Sequence, residues 1–521
     1  MRTKRRSLVD GVIVSASTPQ VSANLFRTTL CPNLIRHQDI FMDWDGAAYK
    51  PVENKTVTAQ LSAFLGSALE KGFDKDTDAE GNEVKVAKYF RFNPKKTHIA
   101  EVYEMLGHAC HVPMNTMAPP AWLKDTPPGY AALDPKNLIS FQNGLLDVTT
   151  FKLYKATPFF FTMTAIDIKY DADAPEPKLL LAFLQQVTKS RQPLVDLIQE
   201  WIGYNISTDT SKHRVMFYWG VPRSGKGTLM RIQTALVGKY NTRFPTIETL
   251  AGRFGLVGLI GASAAQVTDM NTQSKTDLGR AASRINGISG EDGQTIERKG
   301  ISDWDGVLPT RFTLAGNTLP NFGSHTSATA ARLLIVPFEE SYEGREDREL
   351  TPKLMAELPG IINWGLAGLV RLRERGDFLE PEDSKIAKTR LIYLSNPIHG
   401  FVEEKCVVKA RAGVDKDVLY AAYVAHCEAI HSRPKELGDF TEQLQQIYPS
   451  VKAGRRRIGD TRVHTYGGIR LSDDMAAKVY LRDAEREAML GDVLGEPVVA
   501  FMRDANGWPI IRSGGAADFY A

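Results

Sequence analysis

VMFYWGVPRSGKGTLMRIQTAL, residues 215–236, is the stretch that decides the fold. A short apolar strand, Val215 to Trp219, leads into a Gly-rich turn and then a helix. The turn reads Gly220-Val221-Pro222-Arg223-Ser224-Gly225-Lys226-Gly227-Thr228. That order of strand, turn and helix is what a phosphate-binding loop requires. Glycines at both ends let the backbone curl so that N–H groups face phosphate oxygens, and the helix N-terminus adds positive potential. Lys226 can then reach the β- and γ-phosphates. The expected cofactors are therefore ATP and Mg²⁺. One feature departs from the usual pattern. The residue after the lysine is ordinarily Ser or Thr, whose hydroxyl binds Mg²⁺, but here it is Gly227 and the hydroxyl falls on Thr228. Nucleoside monophosphate kinases share this Gly-Lys-Gly-Thr order, so a small-molecule kinase is an alternative.

Working outward, AAQVTD reads as a strand ending in an acid. Asp269 is the candidate to hold Mg²⁺ together with Thr228. Only one acid stands there, and Glu291 and Asp292, in Ser289-Gly290-Glu291-Asp292, are the candidates for a second catalytic carboxylate, Glu291 the first of them. FTLAGN is a third strand, ending in Asn317, whose amide could bond the γ-phosphate or position water. Arg332 precedes the apolar run LLIVPF and could stabilise charge at a neighbouring subunit's phosphate. Taken alone, Asn317 reads better as a turn residue and Arg332 as a salt-bridge partner.

The 521 residues are too many for one core. No apolar run approaches the roughly 20 residues of a membrane span. Four scattered cysteines without a CxxC argue for a reducing compartment. His108, Cys110 and His111 are metal-like but lack a fourth ligand. The net charge is only +3, so any nucleic-acid contact must come from local patches. Residues 1–25 read as a basic flexible arm, and Asp74 to Glu83 as a charged loop. A hairpin is expected around Asn143-Gly144, one helix over Leu179 to Tyr204, and another over Pro352 to Arg375.

Together, GVPRSGKGT, VTDMN, ISGEDGQTIERK, LPTRFTLAGNTLPNF and ATAARLLIVPFEESYEGRED resemble the superfamily III helicases. The likeness is to the phage and plasmid primase-helicase family, related to the poxvirus replicative ATPase. The upstream text ISFQNGLLDVTTFKLYKATP resembles that family's N-terminal domain, and the resemblance covers roughly residues 30 to 395. It implies an α/β chain: an AAA+-like P-loop core over 196–395 behind an α+β N-terminal domain over 26–195. It further implies a hexameric ring with ATP sites between subunits and 3′-to-5′ movement along single-stranded DNA. Asn317 then becomes a sensor and Arg332 an arginine finger. Arg298 and Lys299 match the basic tip of a hairpin that grips DNA in the pore. A replication initiator that remodels an origin without processive unwinding is a second reading. Primer synthesis is not expected, although a polymerase or primase partner is. The compartment implied is the cytoplasm of a bacterial host.

After Asn396-Pro397 a smaller unit reads as helix, turn, helix and basic hairpin, which looks like a winged helix over 396–471. Its helix over Phe440 to Tyr448 would suit a major groove. Arg455, Arg456, Arg457 and Arg462 would form a wing on duplex DNA. Residues 472–521 form an extension whose role the sequence leaves open.

Overall fold

The computed structural model describes residues 11–77, 82–113, 119–268, 270, 275–300, 302–322, 325–430, 433–458, 461–472, 502–503 and 509–510. The chain divides into two compact units. One comprises Met1–Thr318 with Arg332–Lys385, the other Leu319–Ala331 with Ile386–Ala521.

In the first unit, helix α1 (Pro19–Leu30) packs against two others, α2 (Asn54–Ser67) and α3 (Lys96–Ala109), around Phe26, Leu61, Phe64 and Leu106. Val14 and Ala23 belong to this core, at 2% and 0% exposure, and the Val14 N–H bonds the Leu69 carbonyl at 2.8 Å. The flexible arm expected over 1–25 therefore does not extend through residues 14–25. Three short strands, β1 (Ile35–His37), β2 (Ile40–Trp44) and β3 (Tyr49–Pro51), form an antiparallel sheet. A long two-stranded ribbon pairs β4 (Leu69–Thr77) with β5 (Glu83–Arg91). Much of the expected charged loop over 74–83 is thus strand, because Asp74, Lys75 and Asp76 pair with Val86, Lys85 and Val84.

The expected hairpin joins β6 (Leu138–Phe141) to β7 (Gly144–Asp147). Phe141 pairs with Gly144, so the turn is Gln142-Asn143, one residue earlier than the sequence suggested. Gly144 instead lies in the second strand, where a Cβ would come within 2.3 Å of the Tyr154 carbonyl. The helical text over 179–204 is two helices, α4 (Lys178–Val187) and α5 (Gln192–Ile206).

A five-stranded parallel sheet forms the centre of this unit. Its strands are β8 (Val215–Gly220), β9 (Thr242–Arg243), β10 (Ala264–Val267), β11 (Arg311–Gly316) and β12 (Leu333–Phe338). They lie in the order β9-β10-β11-β8-β12, with every pairing parallel. Runs such as VMFY and LLIVPF are buried throughout, as strands covered on both faces must be. Helix α6 (Lys226–Val237) follows β8, and α7 (Lys275–Ser289) follows β10. Helix α8 (Leu358–Arg375) crosses α5 at close range, since a Cβ on Gly203 would meet the Gly365 carbonyl at 2.1 Å. There the buried Glu200 receives the Arg371 Nε at 2.8 Å and also bonds Arg375. Two cations on one carboxylate satisfy a charge that would otherwise be costly to bury.

The second unit contains α9 (Pro397–Lys405), α10 (Lys416–Ala429) and α11 (Leu437–Ile447). They pack on an antiparallel sheet of Cys406–Asp415, Thr461–Leu471 and Lys452–Ile458, in that order. Phe401, Tyr423, Phe440 and Tyr466 fill its core. Asn396 caps α9, its side-chain oxygen accepting from the Ile398 N–H at 3.0 Å. No helix among the described residues is long and apolar enough to cross a membrane.

Candidate nucleotide site

At the carboxyl end of β8 the chain turns under tight constraints. The Val221 N–H bonds the Phe338 carbonyl at 3.1 Å. A Cβ on Gly220 would sit 1.8 Å from that same oxygen, so only glycine fits. Gly225 caps α6 with φ of +95° and its α-hydrogens face Val187 and Phe183, at 3.0–3.1 Å from a Cβ placed there. Arg223 anchors the outside of the loop through Glu346 at 2.7 Å and Glu343 at 3.5 Å. Val221, Pro222 and Arg223 are exposed, while Ser224 is buried. The amide groups of the first turn of α6, from Lys226 onward, have no carbonyl four residues back within the helix to bond.

Lys226 folds back over this loop. Its Nζ donates to the Gly220 and Val221 carbonyls, both at 2.7 Å, and to Ser224 Oγ at 3.2 Å. No carboxylate pairs with it among the described residues, and burial alone lowers its pKa to about 8. A half-buried cation held, among the described residues, by neutral oxygens beside free helix amides is complementary to a polyphosphate. Thr228 Oγ1 accepts from Arg231 Nη2 at 3.2 Å. Gly227 is exposed, and a Cβ there would meet only Arg231, at 3.5 Å. Space therefore does not explain glycine at position 227.

The sheet sorts the remaining candidates into two edges. Gly316 pairs with Trp219, so Asn317 follows β11 at the carboxyl edge, beside the phosphate loop. Asp269 comes two positions after the end of β10 in sequence but lies outside the described residues.

Glu291 and Arg332 fall at the opposite edge. Glu291 bonds the Thr210 hydroxyl, and its Oε2 lies 3.5 Å from His213 Nε2. Both partners precede β8. Arg332 immediately precedes Leu333, which pairs with Val215 at the start of β8. Its guanidinium lies beside Gly290, 3.2 Å from a Cβ placed there. The length of β8, five steps of about 3.3 Å or roughly 16 Å, separates this edge from the loop. Glu291 therefore cannot be the second carboxylate on the same subunit's nucleotide. The expectation failed because Thr210 and His213, which fix its position, are some eighty residues away in sequence.

The expected basic hairpin tip also divides. Gln294–Ile296 pairs antiparallel with Trp304–Gly306, and Lys299 is exposed between them. Arg298 is 8% exposed, its Nε donating to the Ser302 carbonyl at 2.8 Å and its Nη2 to the Gln38 carbonyl at 3.5 Å. It braces the turn against the N-terminal strands and is not available to DNA. In the second unit, Lys452–Ile458 pairs with Thr461–Leu471, bringing Arg457 opposite Arg462 and Arg456 opposite Val463. Arg455 and Arg462 are exposed, and Gly459 and Asp460, between the two strands in sequence, lie outside the described residues.

One buried cation escaped the sequence reading. Arg311, at the start of β11, donates to the Asn205 carbonyl at 3.0 Å and the Asp209 carbonyl at 3.3 Å. A cavity of about 170 Å³ lies beside it, lined also by His37, Met42, Met163 and Trp304. Arg311 begins its strand, so this cavity is at the amino edge, remote from the phosphate loop. The loop itself is open to solvent at Val221, Pro222 and Arg223.

Comparison with known proteins assigns these parts. Residues 24–189 match the family described as "D5 N terminal like", and residues 218–332 match a family of unknown function. "Putative helicase 121R" of Invertebrate iridescent virus 3 is 23% identical over 271 residues, 46% of this chain and 28% of that protein. Over these segments the chain is similar to the phage and plasmid primase-helicase family. A second similar protein, "Putative helicase 184R" of Invertebrate iridescent virus 6, is 22% identical over 232 residues, 41% of this chain and 23% of that protein. The chain spans only about a quarter of the length of these curated relatives. Among solved structures, the apo NrS-1 C terminal region is 9% identical with a TM-score of 0.49, covering 86% of this chain and 99% of that one. Its A form is 11% identical with a TM-score of 0.47, covering 85% and 98%.

Proposed function

We propose that this chain, similar to the primase-helicases, is the ATP-driven motor of a replication system, acting as a ring, most simply a hexamer, on single-stranded DNA. The observation that carries the reading is the loop over 220–228. A Cβ at 220 would collide with the Phe338 carbonyl, Gly225 takes a φ of +95°, and the lysine is held by neutral oxygens where phosphates would dock. In this reading Lys226 leaves the Gly220 and Val221 carbonyls for the β- and γ-phosphates, whose charge restores its full protonation. The α6 amides bind the same oxygens. Bound Mg²⁺ would neutralise charge between the phosphates; Thr228 and Asp269 are the residues assigned to hold it. Thr228 suits the task as a first-turn hydroxyl, once Arg231 releases it. Asn317 orients water or the γ-phosphate from the adjacent strand end.

Arg332 supports the ring. It lies a strand's length from its own loop, so any catalytic contact must be with a neighbouring subunit's nucleotide. Lys299 is the remaining candidate of the hairpin tip for the DNA strand, moving 3′ to 5′. The second unit is read as a winged helix in which Arg455, Arg456, Arg457 and Arg462 would contact duplex phosphates. The origin-remodelling initiator shares this site but needs no processive unwinding.

The test is ATP turnover with and without single-stranded DNA, run beside a mass measurement. Turnover is expected to rise with DNA and with assembly, and Lys226→Ala to lower it by at least about 10³ while the fold is kept. Folded Lys226→Ala protein with wild-type turnover would sink the assignment.

A further inference from the structure

The ribbon of β4 and β5 carries a chemistry that the motor site does not use. Its register puts alternate residues on opposite faces. One face holds Lys71, Phe73, Lys75, Lys85, Tyr89 and Arg91, four cations against the single carboxylate Glu83. Phe73 is 64% exposed and Tyr89 51%. Lys71 lies opposite Tyr89 and Phe73 opposite Ala87, so the two rings are diagonal neighbours across the strands. Lys75 lies directly opposite Lys85, an arrangement that destabilises a ribbon unless an anion lies between them. Glu83 takes up Lys75 at 2.9 Å, and Lys85 has no partner among the described residues. The other face is different in kind. It presents carboxylates from Glu70, Asp74 and Asp76, and there Phe90 lies over Gly72, 2.9 Å from a Cβ placed at that glycine.

We propose that the Lys71–Tyr89 face of the ribbon is a binding site for single-stranded nucleic acid, with bases stacked on Phe73 and Tyr89 and phosphates on Lys71, Lys85 and Arg91. Arg91 donates its Nε to the Gly66 carbonyl at 2.9 Å and has no carboxylate partner among the described residues. Aromatic rings and cations on one exposed strand face are the combination that holds single strands without reading sequence. A protein partner would be served equally by the opposite face, whereas a polyanion is served by this one alone. The site deepens the DNA-motor reading, and rests on it only in assuming that a strand is presented to the protein.

The experiment uses the full chain without nucleotide and a fluorescein-labelled thymidine 20-mer, followed by anisotropy over a series of salt concentrations. Phe73→Ala with Tyr89→Ala is expected to weaken binding at least about tenfold with the salt slope kept. Lys71→Ala with Lys85→Ala should flatten the slope of log K against log salt by about 1.4. Val84→Ser with Val86→Ser, on the other face, should change neither. A 5-bromouridine oligonucleotide should cross-link within residues 69–91. Unchanged affinity and slope in both variants, or cross-links confined to other peptides, would overturn the proposal. So would altered mass with unaltered affinity, which makes the ribbon a contact between subunits. Since nucleotide is absent, ATP turnover in the same variants reports separately on the motor reading.

Discussion

The two edges of the parallel sheet differ in what holds their polar residues. At the carboxyl edge, among the described residues, Lys226 has only neutral loop oxygens around it, and Asn317 is exposed beside it. At the amino edge, Glu291 is bonded to Thr210 and His213, and Arg311 to two carbonyls. Groups left with weak partners are poised for a ligand, and groups already bonded hold the fold. Arg332 is the exception to test, because it stands at the bonded edge yet is assigned to catalysis.

The largest expected effect lies there. An arginine finger contributes about 10³–10⁵ to turnover, so Arg332→Ala should lower ATP hydrolysis by about 10³ or more and leave nucleotide affinity nearly unchanged. Mixing it with Lys226→Ala subunits should restore part of the activity, because some sites then combine an intact loop with an intact arginine. Mixed rings that are shown to assemble and remain inactive would return Arg332 to a structural role at its edge.

The carboxyl edge makes a smaller prediction, through pH. Burial lowers the Lys226 pKa to about 8 in the free protein. Unfolded, the lysine would be protonated up to about pH 10. Its burial therefore opposes folding below pH 8, and that opposition fades as pH rises toward 10. Nucleotide has the reverse linkage, because phosphates favour the charged lysine. Binding should take up protons above pH 8, and affinity should fall by up to about tenfold per pH unit there. Titration calorimetry in two buffers of different ionisation heat measures the uptake. Lys226→Ala should show none, and a pH-independent wild-type affinity between 8 and 9.5 would remove the lysine from the phosphates.

The same contrast explains what was legible in the sequence. The phosphate loop is local: strand, glycines, lysine and helix are contiguous, and the structure keeps that order. Asn317 was legible because a strand's end is a local feature, and the parallel register then places it. Glu291 and Arg298 were not, because their partners are Thr210 and Gln38, distant in sequence. Both look like ligand-seeking charges until those partners are known. The ribbon over 69–91 was half hidden for another reason. Charges interrupt its alternation, and Glu80-Gly81-Asn82 gives a strong turn signal, so its flanks were read as loop as well.

Glu291 gives the smallest expected effect and the sharpest check on the division into edges. If it only ties the loop after α7 to the segment before β8, Glu291→Gln keeps a hydrogen-bond acceptor for the Thr210 hydroxyl and loses only its charge toward His213. Both residues of that ion pair are well exposed, 40% and 47%, so the contribution of the pair itself is small. Turnover should stay within about twofold of wild type, and stability should change by less than about 1 kcal/mol. A carboxylate that polarises the attacking water would behave otherwise, since removing such a group from a transition state lowers turnover by about 10² or more. A loss of that size in Glu291→Gln could not arise at its own subunit's loop, roughly 16 Å away along β8. Glu291 would then act with Arg332 across the subunit boundary, and complementation by Lys226→Ala subunits would separate that outcome from a folding defect.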